Sequence, residues 1–241
     1  MLNDPHYRAR SYPYQIEARS YVIANGGHVV VDHDNPLEGL ENRRPVLAVG
    51  SNMSPQQLAR KFPAPHGGTI PVTRIQLLDF DSVYSTHFTS YGAIPATLFP
   101  SPGTKVTLFI TWLDEAQEQH MHSTEIASEN YHFCRMDGIQ ARVENGPDLD
   151  YLYFYQSSRG ALPIDGDPVP LAEVAASNRR WTARSQNEIQ EHSRQMLAPH
   201  MELEAFIDDN IENTENRRQR TNTLHATAMP FRFEKITKVS F

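Results

Sequence analysis

The residues whose types and order could support chemistry lie in one short stretch, "VLAVGSNMSPQQLARKFP", at positions 46–63. A continuous apolar run ends at Gly50, and Ser51 and Asn52 lead directly into a helix start at Ser54. A strand that turns sharply into a helix points main-chain N–H groups and the positive end of the helix dipole at one spot. Such a turn can hold an anion or a developing oxyanion. The same residues also fit a plain strand–helix turn, and they match neither phosphate-binding glycine motif, GxxxxGK[ST] or GxGxxG.

A second pattern, His120-x-His122 with Glu118 or Glu125, has the residue types of a metal site. On a helix the two histidines would point about 200° apart and could not share a metal ion, whereas on an extended segment they could. Cys134 is the single cysteine, so neither an intrachain disulfide nor a cysteine-based zinc site can form. Its strand-like surroundings favour a buried apolar role. We expect no metal and no other cofactor.

The composition argues against several function classes. The 241-residue chain has a formal net charge of −7, and its basic runs are short and flanked by acids, which argues against binding along a nucleic-acid backbone. Hydrophobic residues make up 39% of the chain, enough for one sizeable core. No apolar run approaches the roughly 18 residues of a membrane span, and the N-terminus lacks the apolar centre of a secretory signal. We therefore expect a cytoplasmic protein with neither a nucleic-acid nor a membrane partner.

The clearest strand and helix patterns lie in the middle of the chain. Strand-like segments read TRIQLLDFDSVY, IPATLF, VTLFITWL, YHFCRM with IQARV, and YLYFY. The SPG triplet at positions 101–103 predicts a hairpin turn. DEAQEQHMHSTE predicts a helix with Asp114 at its N-terminus. Ser54, Pro55 and Gln57 predict the N-cap, the first position and the capping box of another helix.

The two ends of the chain are less regular. YQIEARSYVIA is compatible with a helix that ends at Gly26-Gly27, and HVVVD with a short strand. From Pro170 onward, LAEVAASNRRW, SQNEIQEHSRQML and ELEAFIDDNIENTENRRQR predict three helices, and FRFEKITKVSF predicts a final strand. Short connections between strands favour antiparallel pairing. We predict an α+β fold with a mixed, mainly antiparallel sheet or partly open barrel and flanking helices.

Two motifs, in this order, resemble the gamma-glutamyl cyclotransferase-like family. That family opens with a strand, a Tyr-Gly-Ser-Asn-Leu type loop and a short helix, which VLAVGSNMSPQQLARKF resembles. Its central block is a G-x-A-T strand, an SPG turn and an apolar strand that leads to a helix with the catalytic glutamate, and residues 92–125 are similar to that block. The resemblance implies a family core at 45–197, an N-terminal extension at 1–44, and a C-terminal helical extension with a final strand at 198–241.

The resemblance implies an enzyme of acyltransferase or lyase type that cyclises a γ-glutamyl amine or peptide. The substrate's α-amine attacks its own γ-carbonyl, and 5-oxoproline and a free amine are released. By similarity, Glu125 would be the general acid–base. The implied substrate contacts are Gly50, Ser51, Asn52, Met53, Tyr131 and Tyr153. The Glu125 carboxyl would then lie within about 6 Å of the loop amides across one cavity. Glu125 also fits a helix-end surface acid, and the tyrosines fit plain strand aromatics.

The chain departs from the family pattern in three places. Val49 replaces the usual aromatic residue before the glycine, Met53 replaces leucine, and the Asp and Gly that often surround the glutamate are absent around Glu125. The alternative is therefore a catalytically inactive protein of the same fold that binds a small carboxylate or amine ligand. The sequence leaves open whether the extensions cover the cavity, bind another protein or form a homodimer, and we hypothesise that one of them lids the cavity.

Overall fold

The computed structural model describes residues 2–32, 35–64, 67–126 and 130–239. Its helices are α1 (Pro5–Ser11), α2 (Pro55–Lys61), α3 (Glu115–Glu125), α4 (Gln186–Leu197), α5 (Leu203–Glu212) and α6 (Thr214–His225), with a 3₁₀ turn at Ser51–Met53. Its strands are β1 (Tyr21–Ala24), β2 (Gly27–Val30), β3 (Arg44–Ala48), β4 (Ile70–Tyr84), β5 (Ala96–Leu113), β6 (Tyr131–Asp137), β7 (Ala141–Val143), β8 (Tyr151–Ser157), β9 (Pro163–Ile164), β10 (Asp167–Pro168), β11 (Ala176–Ser177) and β12 (Ile236–Lys238).

Ten of these strands form one mixed sheet. The order is β12-β6-β8-β3-β5-β4-β1-β2, with β11 paired to β5 and β7 paired to β4. Among the described strands β3 and β8 are parallel neighbours, and the other pairs are antiparallel. The end strands β2 and β12 do not pair with each other in the described part of the chain, so the sheet is open. The predicted α+β class with a mixed, mainly antiparallel sheet and flanking helices is confirmed.

The parallel pair determines which parts of the chain meet at one edge of the sheet. Leu47 in β3 pairs with Phe154 in β8, so both strands end at the same edge. At that edge β3 continues into the 3₁₀ turn and α2. Strand β5 runs antiparallel to β3 and ends beside Arg44, the first residue of β3. Helix α3 therefore starts at the far end of β3 and runs back toward the edge where β3 ends, about 16 Å for its eleven residues.

The predicted hairpin turn at Ser101-Pro102-Gly103 is wrong, because β5 runs through it as one strand. The pairing with β4 jumps from Leu78–Lys105 to Phe80–Pro100, so the triplet bulges out of the ladder. The Gly103 N–H donates to Asp79 Oδ1 at 2.7 Å, and Gly103 has a φ of 84°. Proline and glycine are tolerated inside a strand at such bulges, and the residue types alone do not separate a bulge from a turn.

Two predicted helices are also wrong. YQIEARSYVIA contains β1, which pairs with β2 across a two-residue Asn25-Gly26 turn with φ values of 50° and 75°. An Asn-Gly pair between β-branched segments is a strong hairpin signal, and it overrides the weak helical spacing. LAEVAASNRRW is irregular apart from β11, with Leu171 and Val174 buried beneath it.

Other helix predictions are confirmed in part. Ser54 and Pro55 are the N-cap and first residue of α2, but the predicted capping box is absent, because the Gln57 side chain accepts from Arg60 instead. Asp114 caps α3 as predicted. The helices predicted at DEAQEQHMHSTE and SQNEIQEHSRQML correspond to α3 and α4. The long charged helix is two helices, α5 and α6, because Asn213 ends one and caps the other.

The segments predicted as extensions pack against the rest of the molecule. Strand β1 pairs with β4, and the final strand β12 pairs with β6 as the sequence pattern predicted. Helix α1 lies against α4 and α5. The domain boundaries at 44/45 and 197/198 stay predictions. In the described ranges no helix is long and apolar enough to cross a bilayer.

Candidate active site

A cavity of about 450 Å³ lies at the edge where β3 and β8 end. Its wall is formed by α1, the segment 47–52, α2, the segments 87–91 and 95–96, the end of α3, residues 130–131, Tyr155 and α6. This volume is within the range of roughly 300–1,000 Å³ that is typical of small-molecule pockets. Five of the predicted site residues line the cavity, namely Gly50, Ser51, Asn52, Glu125 and Tyr131. Met53 and Tyr153 do not.

Glycine is required at position 50 because neighbouring side chains approach its Cα closely. A left-handed backbone is not the reason, since the φ of Gly50 is −146°. A Cβ atom at this position would lie 2.1 Å from Tyr12 Oη and 2.9 Å from the Ala96 Cβ. Any larger residue would therefore push Tyr12 and β5 away from the loop. In the structure the missing side chain of Gly50 therefore makes room for Tyr12.

Tyr12 belongs to the segment before β1, and sequence reasoning did not single it out. Its hydroxyl oxygen accepts the Ala96 N–H at 2.8 Å. Burial raises the pKa of the Tyr12 phenol far above its usual value, while the backbone amides of Ala96 and Ser51 act in the opposite direction. Tyr12 is therefore a neutral O–H donor at the base of the loop. Tyr131 lies nearby, because its hydroxyl donates to the Ala96 carbonyl at 3.2 Å.

Met53 supports the loop from below. Its side chain is fully buried, its N–H donates to the Gly50 carbonyl at 2.9 Å, and its own carbonyl accepts from Tyr21 Oη at 2.9 Å. These bonds close the 3₁₀ turn and turn Met53 into the core. The predicted place of Met53 in the cavity wall is therefore not what the structure shows.

Glu125 is the last residue of α3, and its carboxylate faces the loop. Asn52 Nδ2 donates to Glu125 Oε1 at 3.1 Å. The Lys61 ammonium forms an ion pair with the same oxygen. The side chain of Glu125 is 17% exposed and that of Lys61 7% exposed. The structure thus brings the predicted acid and the predicted loop together through the Asn52 side chain, across 73 residues of sequence.

Lys61 lines the cavity, but no sequence pattern singled it out, although it lies within positions 46–63. It is the last residue of α2, where the negative end of the helix dipole stabilises a cation. Its Nζ also lies 3.5 Å from Met121 Sδ, one turn before Glu125 on α3. Glu125 itself is at the negative end of α3, which disfavours a carboxylate. Lys61 offsets that unfavourable position.

Tyr155, not Tyr153, is the β8 tyrosine in the cavity wall. Both side chains lie on the same face of the strand because they are two residues apart. Those two residues shift Tyr153 by about 6.7 Å toward the start of β3. There its ring stacks on Phe133 and lies under the Arg44 guanidinium. The expected cavity contact from Tyr153 is therefore replaced by one from Tyr155, whose hydroxyl bonds to His122 Nδ1 at 2.7 Å.

His87 contributes a buried imidazole to the wall. Its Nδ1 is 3.0 Å from Ser85 Oγ, and its ring meets the edge of Tyr131 with centroids 5.6 Å apart. Burial, and to a lesser degree the charge of Arg159, lowers the pKa of His87 to about 3. His87 is therefore neutral at physiological pH. No sequence pattern marked it among the scattered histidines.

The cavity wall is positively charged. Its lining residues in the described part of the chain include four cations, Arg8, Arg60, Lys61 and Arg217, and one carboxylate, Glu125. Burial and then the charge of Arg8 lower the pKa of Arg60, so these two guanidiniums are close enough to repel each other. Because the chain as a whole carries a net charge of −7, the cavity is a local positive region that attracts anions.

A second, more open hollow lies on the other side of α3. Here Arg44 Nη1 donates to Glu118 Oε1 at 2.9 Å, and His122 Nε2 lies 3.8 Å from the same oxygen. Burial raises the pKa of Glu118, against the lowering effect of Arg44. Tyr153 completes this hollow. Helix α3 therefore presents one paired glutamate to each of two concave surfaces.

The two histidines of the proposed metal pattern point to different partners. His120 Nε2 is 2.8 Å from the Lys61 carbonyl, and His122 Nδ1 is bonded to Tyr155. This divergence is what the helical geometry of α3 predicts. Among the residues that the structure describes, no group of three or more His, Cys, Asp or Glu side chains is arranged to hold a metal ion.

Comparison with known proteins adds little beyond this geometry. No protein-family model matches the chain, and no curated protein matches its sequence. A solved structure of a gamma-glutamyl cyclotransferase matches 48% of this chain and 67% of its own, with 18% sequence identity and a TM-score of 0.38. A similarity of this extent does not assign the chain to a family, so the functional argument depends on the cavity.

Proposed function

We propose that this cavity binds a γ-glutamyl amine or peptide and cyclises it, with release of 5-oxoproline and the free amine. The observation that carries the proposal is the 3.1 Å hydrogen bond between Asn52 and the Glu125 carboxylate inside one cavity. It brings a carboxylate that can act as a general base to the Gly50–Asn52 loop, whose main-chain amides would supply the hydrogen-bond donors that this cyclisation also needs. The two sequence motifs that resemble the gamma-glutamyl cyclotransferase-like family support it independently.

The first step is proton removal from the substrate's α-ammonium by Glu125. The neutral amine then attacks the γ-carbonyl carbon, and a five-membered ring closes. Asn52 orients the base, and its own Oδ1 is buried without a hydrogen-bond partner among the described residues, so it is free to accept from the amine. General base catalysis of this kind typically contributes about 10²–10⁴ in rate.

The second step is collapse of the tetrahedral intermediate. The new bond joins the α-nitrogen to the γ-carbonyl carbon, and the bond between that carbonyl carbon and the leaving nitrogen breaks. The negative charge on the γ-oxygen is met by the amides of the Gly50–Asn52 loop and by the neutral Tyr12 hydroxyl. Glu125 returns its proton to the leaving nitrogen, and the ring nitrogen then gives its second proton through the freed carboxylate to the departing amine. The amine therefore leaves as an ammonium ion, and no water is consumed.

The ion pair with Lys61 determines which oxygen of Glu125 can act as the base. Both hydrogen bonds that the described residues give to Glu125 fall on Oε1, which leaves Oε2 for the substrate's ammonium. Lys61 then remains beside the carboxylate through the reaction and limits the electrostatic cost of keeping it in the cavity.

The same ion pair favours a second candidate function. A carboxylate held by a lysine and an asparagine can be a fixed structural charge, and the cavity would then bind a small carboxylate or amine ligand without reaction. In that case the loop and the cations supply the affinity, and Glu125 performs no proton transfer.

The experiment that separates the two uses the purified protein with a panel of γ-glutamyl amides and quantifies 5-oxoproline by mass spectrometry. We expect turnover that falls by at least about 100-fold in Glu125→Gln. Glu115→Gln is the matched control, because it makes the same change at an exposed position of the same helix. Absence of 5-oxoproline together with ligand-dependent thermal stabilisation would favour the binding protein instead.

A further inference from the structure

Three arginines of the cavity wall are without a carboxylate partner. In the described ranges, no carboxylate forms an ion pair with Arg8, Arg60 or Arg217. Some partly buried arginines elsewhere in the molecule do pair, as Arg179 does with Asp81 at 2.8 Å and Arg44 with Glu118 at 2.9 Å. Others, such as Arg159 and Arg184, form no ion pair with a carboxylate in the described ranges. Arg8, Arg60 and Arg217 are distinguished from the other arginines without a carboxylate partner because all three line one cavity.

Neutral groups hold these side chains in place. The Arg8 guanidinium stacks on the Tyr91 ring at 3.6 Å, and its Nε is buried without an acceptor among the described residues. Arg217 Nη1 donates to the main-chain carbonyls of Asn210 and Ile211 at 2.7 and 3.1 Å. These contacts fix the guanidiniums but leave their charge uncompensated.

Keeping like charges together has a cost. Arg60 and Arg8 are close enough for Arg8 to disfavour the charged form of Arg60. Clustered guanidiniums with free donor positions are the arrangement that proteins use to bind carboxylates and phosphates, because the planar fork matches two oxygens at once. An anionic ligand would remove the repulsion and satisfy the free N–H groups together.

The arginines and Glu125 belong to one cavity. Arg60 directly precedes Lys61 on α2, and Lys61 is bonded to Glu125. A substrate whose glutamyl half reaches Glu125 and Asn52 therefore extends its other half along the same wall. A γ-glutamyl conjugate of a neutral amine would bring no negative charge to the arginines.

We propose that Arg8, Arg60 and Arg217 bind the leaving group, and that this group is an acidic amino acid with two carboxylates. This inference rests on the proposed function, because it divides the ligand at the bond that Glu125 would help to break. An α-carboxylate and a side-chain carboxylate together offer four oxygens to the three guanidiniums. The class of substrate is then a γ-glutamyl dipeptide with a C-terminal aspartate or glutamate.

The test compares two substrates that differ only in charge, γ-glutamyl-glutamate and γ-glutamyl-glutamine. We expect kcat/KM to be at least about tenfold higher for the acidic dipeptide. Arg60→Gln should reduce that ratio to near one, and Arg60→Lys should restore part of it. Arg60 is exposed, so its substitution leaves the core intact, and Arg8→Gln provides a second variant. The exposed Arg19→Gln is the control that leaves the ratio unchanged.

Two results would overturn the assignment. The first is an equal kcat/KM for both dipeptides in the unmodified protein. The second is an equal loss for both dipeptides in Arg60→Gln and Arg8→Gln, since the arginines would then bind the glutamyl half that the two substrates share.

Failure of the proposed function gives a different pattern. If neither dipeptide yields 5-oxoproline, isothermal titration of the same two dipeptides into the protein replaces the kinetic comparison. Tighter binding of the acidic dipeptide by about tenfold or more, lost in Arg60→Gln, keeps the arginine assignment and removes the cyclisation. Equal binding of the two dipeptides, or no binding of either, overturns the arginine assignment as well.

Discussion

Helix α3 carries two glutamates that each pair with a cation, one near either end of the helix, and the two pairs differ in their position along the helix dipole and in the burial of the cation. Glu118 lies in the first turn, where the helix dipole favours a carboxylate, and its partner Arg44 is 39% exposed. Glu125 is the last residue, where the dipole disfavours a carboxylate, and its partner Lys61 is 7% exposed. A contribution to folding stability therefore explains the position of Glu118 on the helix, but it does not explain the position of Glu125.

The surroundings of the two pairs sharpen the contrast. The Glu118 side faces an open hollow with His122 and Tyr153. The Glu125 side faces a less open cavity with a glycine loop, a buried neutral tyrosine and three arginines that have no carboxylate partner among the described residues. Proteins retain unfavourably placed charges at functional sites more often than elsewhere. The comparison therefore favours the cavity over the hollow as the place of the proposed reaction.

The largest expected effect is on the buried pair. Lys61→Met leaves the Glu125 carboxylate without its cation at the negative end of α3, and we expect the free energy of unfolding to fall by about 3 kcal/mol. Urea denaturation at neutral pH measures it. The double variant Lys61→Met with Glu125→Gln should recover most of the loss, because it removes the unpaired charge. A single variant as stable as the unmodified protein would show that the pair is not buried in solution.

Gly50→Ala should have the next largest effect, because its Cβ would lie 2.1 Å from Tyr12 Oη. We expect a loss of about 2 kcal/mol in unfolding free energy, a typical overpacking cost. In a double-mutant cycle, Tyr12→Phe should relieve part of this loss, since it removes the atom nearest to the added methyl group. Strictly additive effects of the two substitutions would contradict the close approach at the base of the loop.

Because His87 is buried in the cavity wall, we expect the unfolding free energy of the protein to fall in acid. Its pKa is about 3 in the folded protein against an ordinary value of 6.5, so the unfolded chain takes up the proton first as the pH falls. The unfolding free energy should therefore decrease below pH 6.5 by up to about 1.4 kcal/mol per pH unit. Thermal unfolding between pH 7 and 5 measures the slope. His87→Gln should flatten it, and an unchanged slope would show that His87 is not the buried group responsible.

The smallest effect on stability is expected for a substitution in the hollow beside Glu118. Arg44→Gln breaks an ion pair in which the arginine side chain is 39% exposed and the glutamate side chain 11% exposed, and it removes a contact with the Tyr153 ring at 4.7 Å. We expect it to cost about 1 kcal/mol, because solvent screens the exposed guanidinium. It should also leave 5-oxoproline formation unchanged. An effect on turnover as large as that of a cavity substitution would reverse the comparison between the two surfaces.

Local sequence signals predicted those parts of the site that are contiguous in the chain. The Gly50-Ser51-Asn52 turn follows from an apolar run that meets a proline-started helix, and the α+β class follows from the strand-like segments. The hairpin at Asn25-Gly26 could also have been predicted, because the dipeptide is a known turn signal. The bulge at Ser101-Pro102-Gly103 could not, since the same residue types form turns and bulges.

The family resemblance predicted that Glu125 and the loop would meet, but the other pairings between distant segments could not be predicted from one sequence. Tyr12 meets Gly50 because a segment before β1 packs against the end of β3, and no local pattern encodes that contact. Lys61 meets Glu125 because α2 and α3 both end at the cavity. Tyr155 replaces Tyr153 because the register between β3 and β8 decides which tyrosine reaches the edge of the sheet.

The most direct test of the account measures 5-oxoproline formation and unfolding free energy for Glu125→Gln and Glu118→Gln side by side. The account predicts that Glu125→Gln loses at least about 100-fold in turnover, whereas Glu118→Gln keeps turnover within a few-fold of the unmodified protein. It would be contradicted if Glu125→Gln remained active, or if Glu118→Gln, folded and stable, were the variant that lost activity.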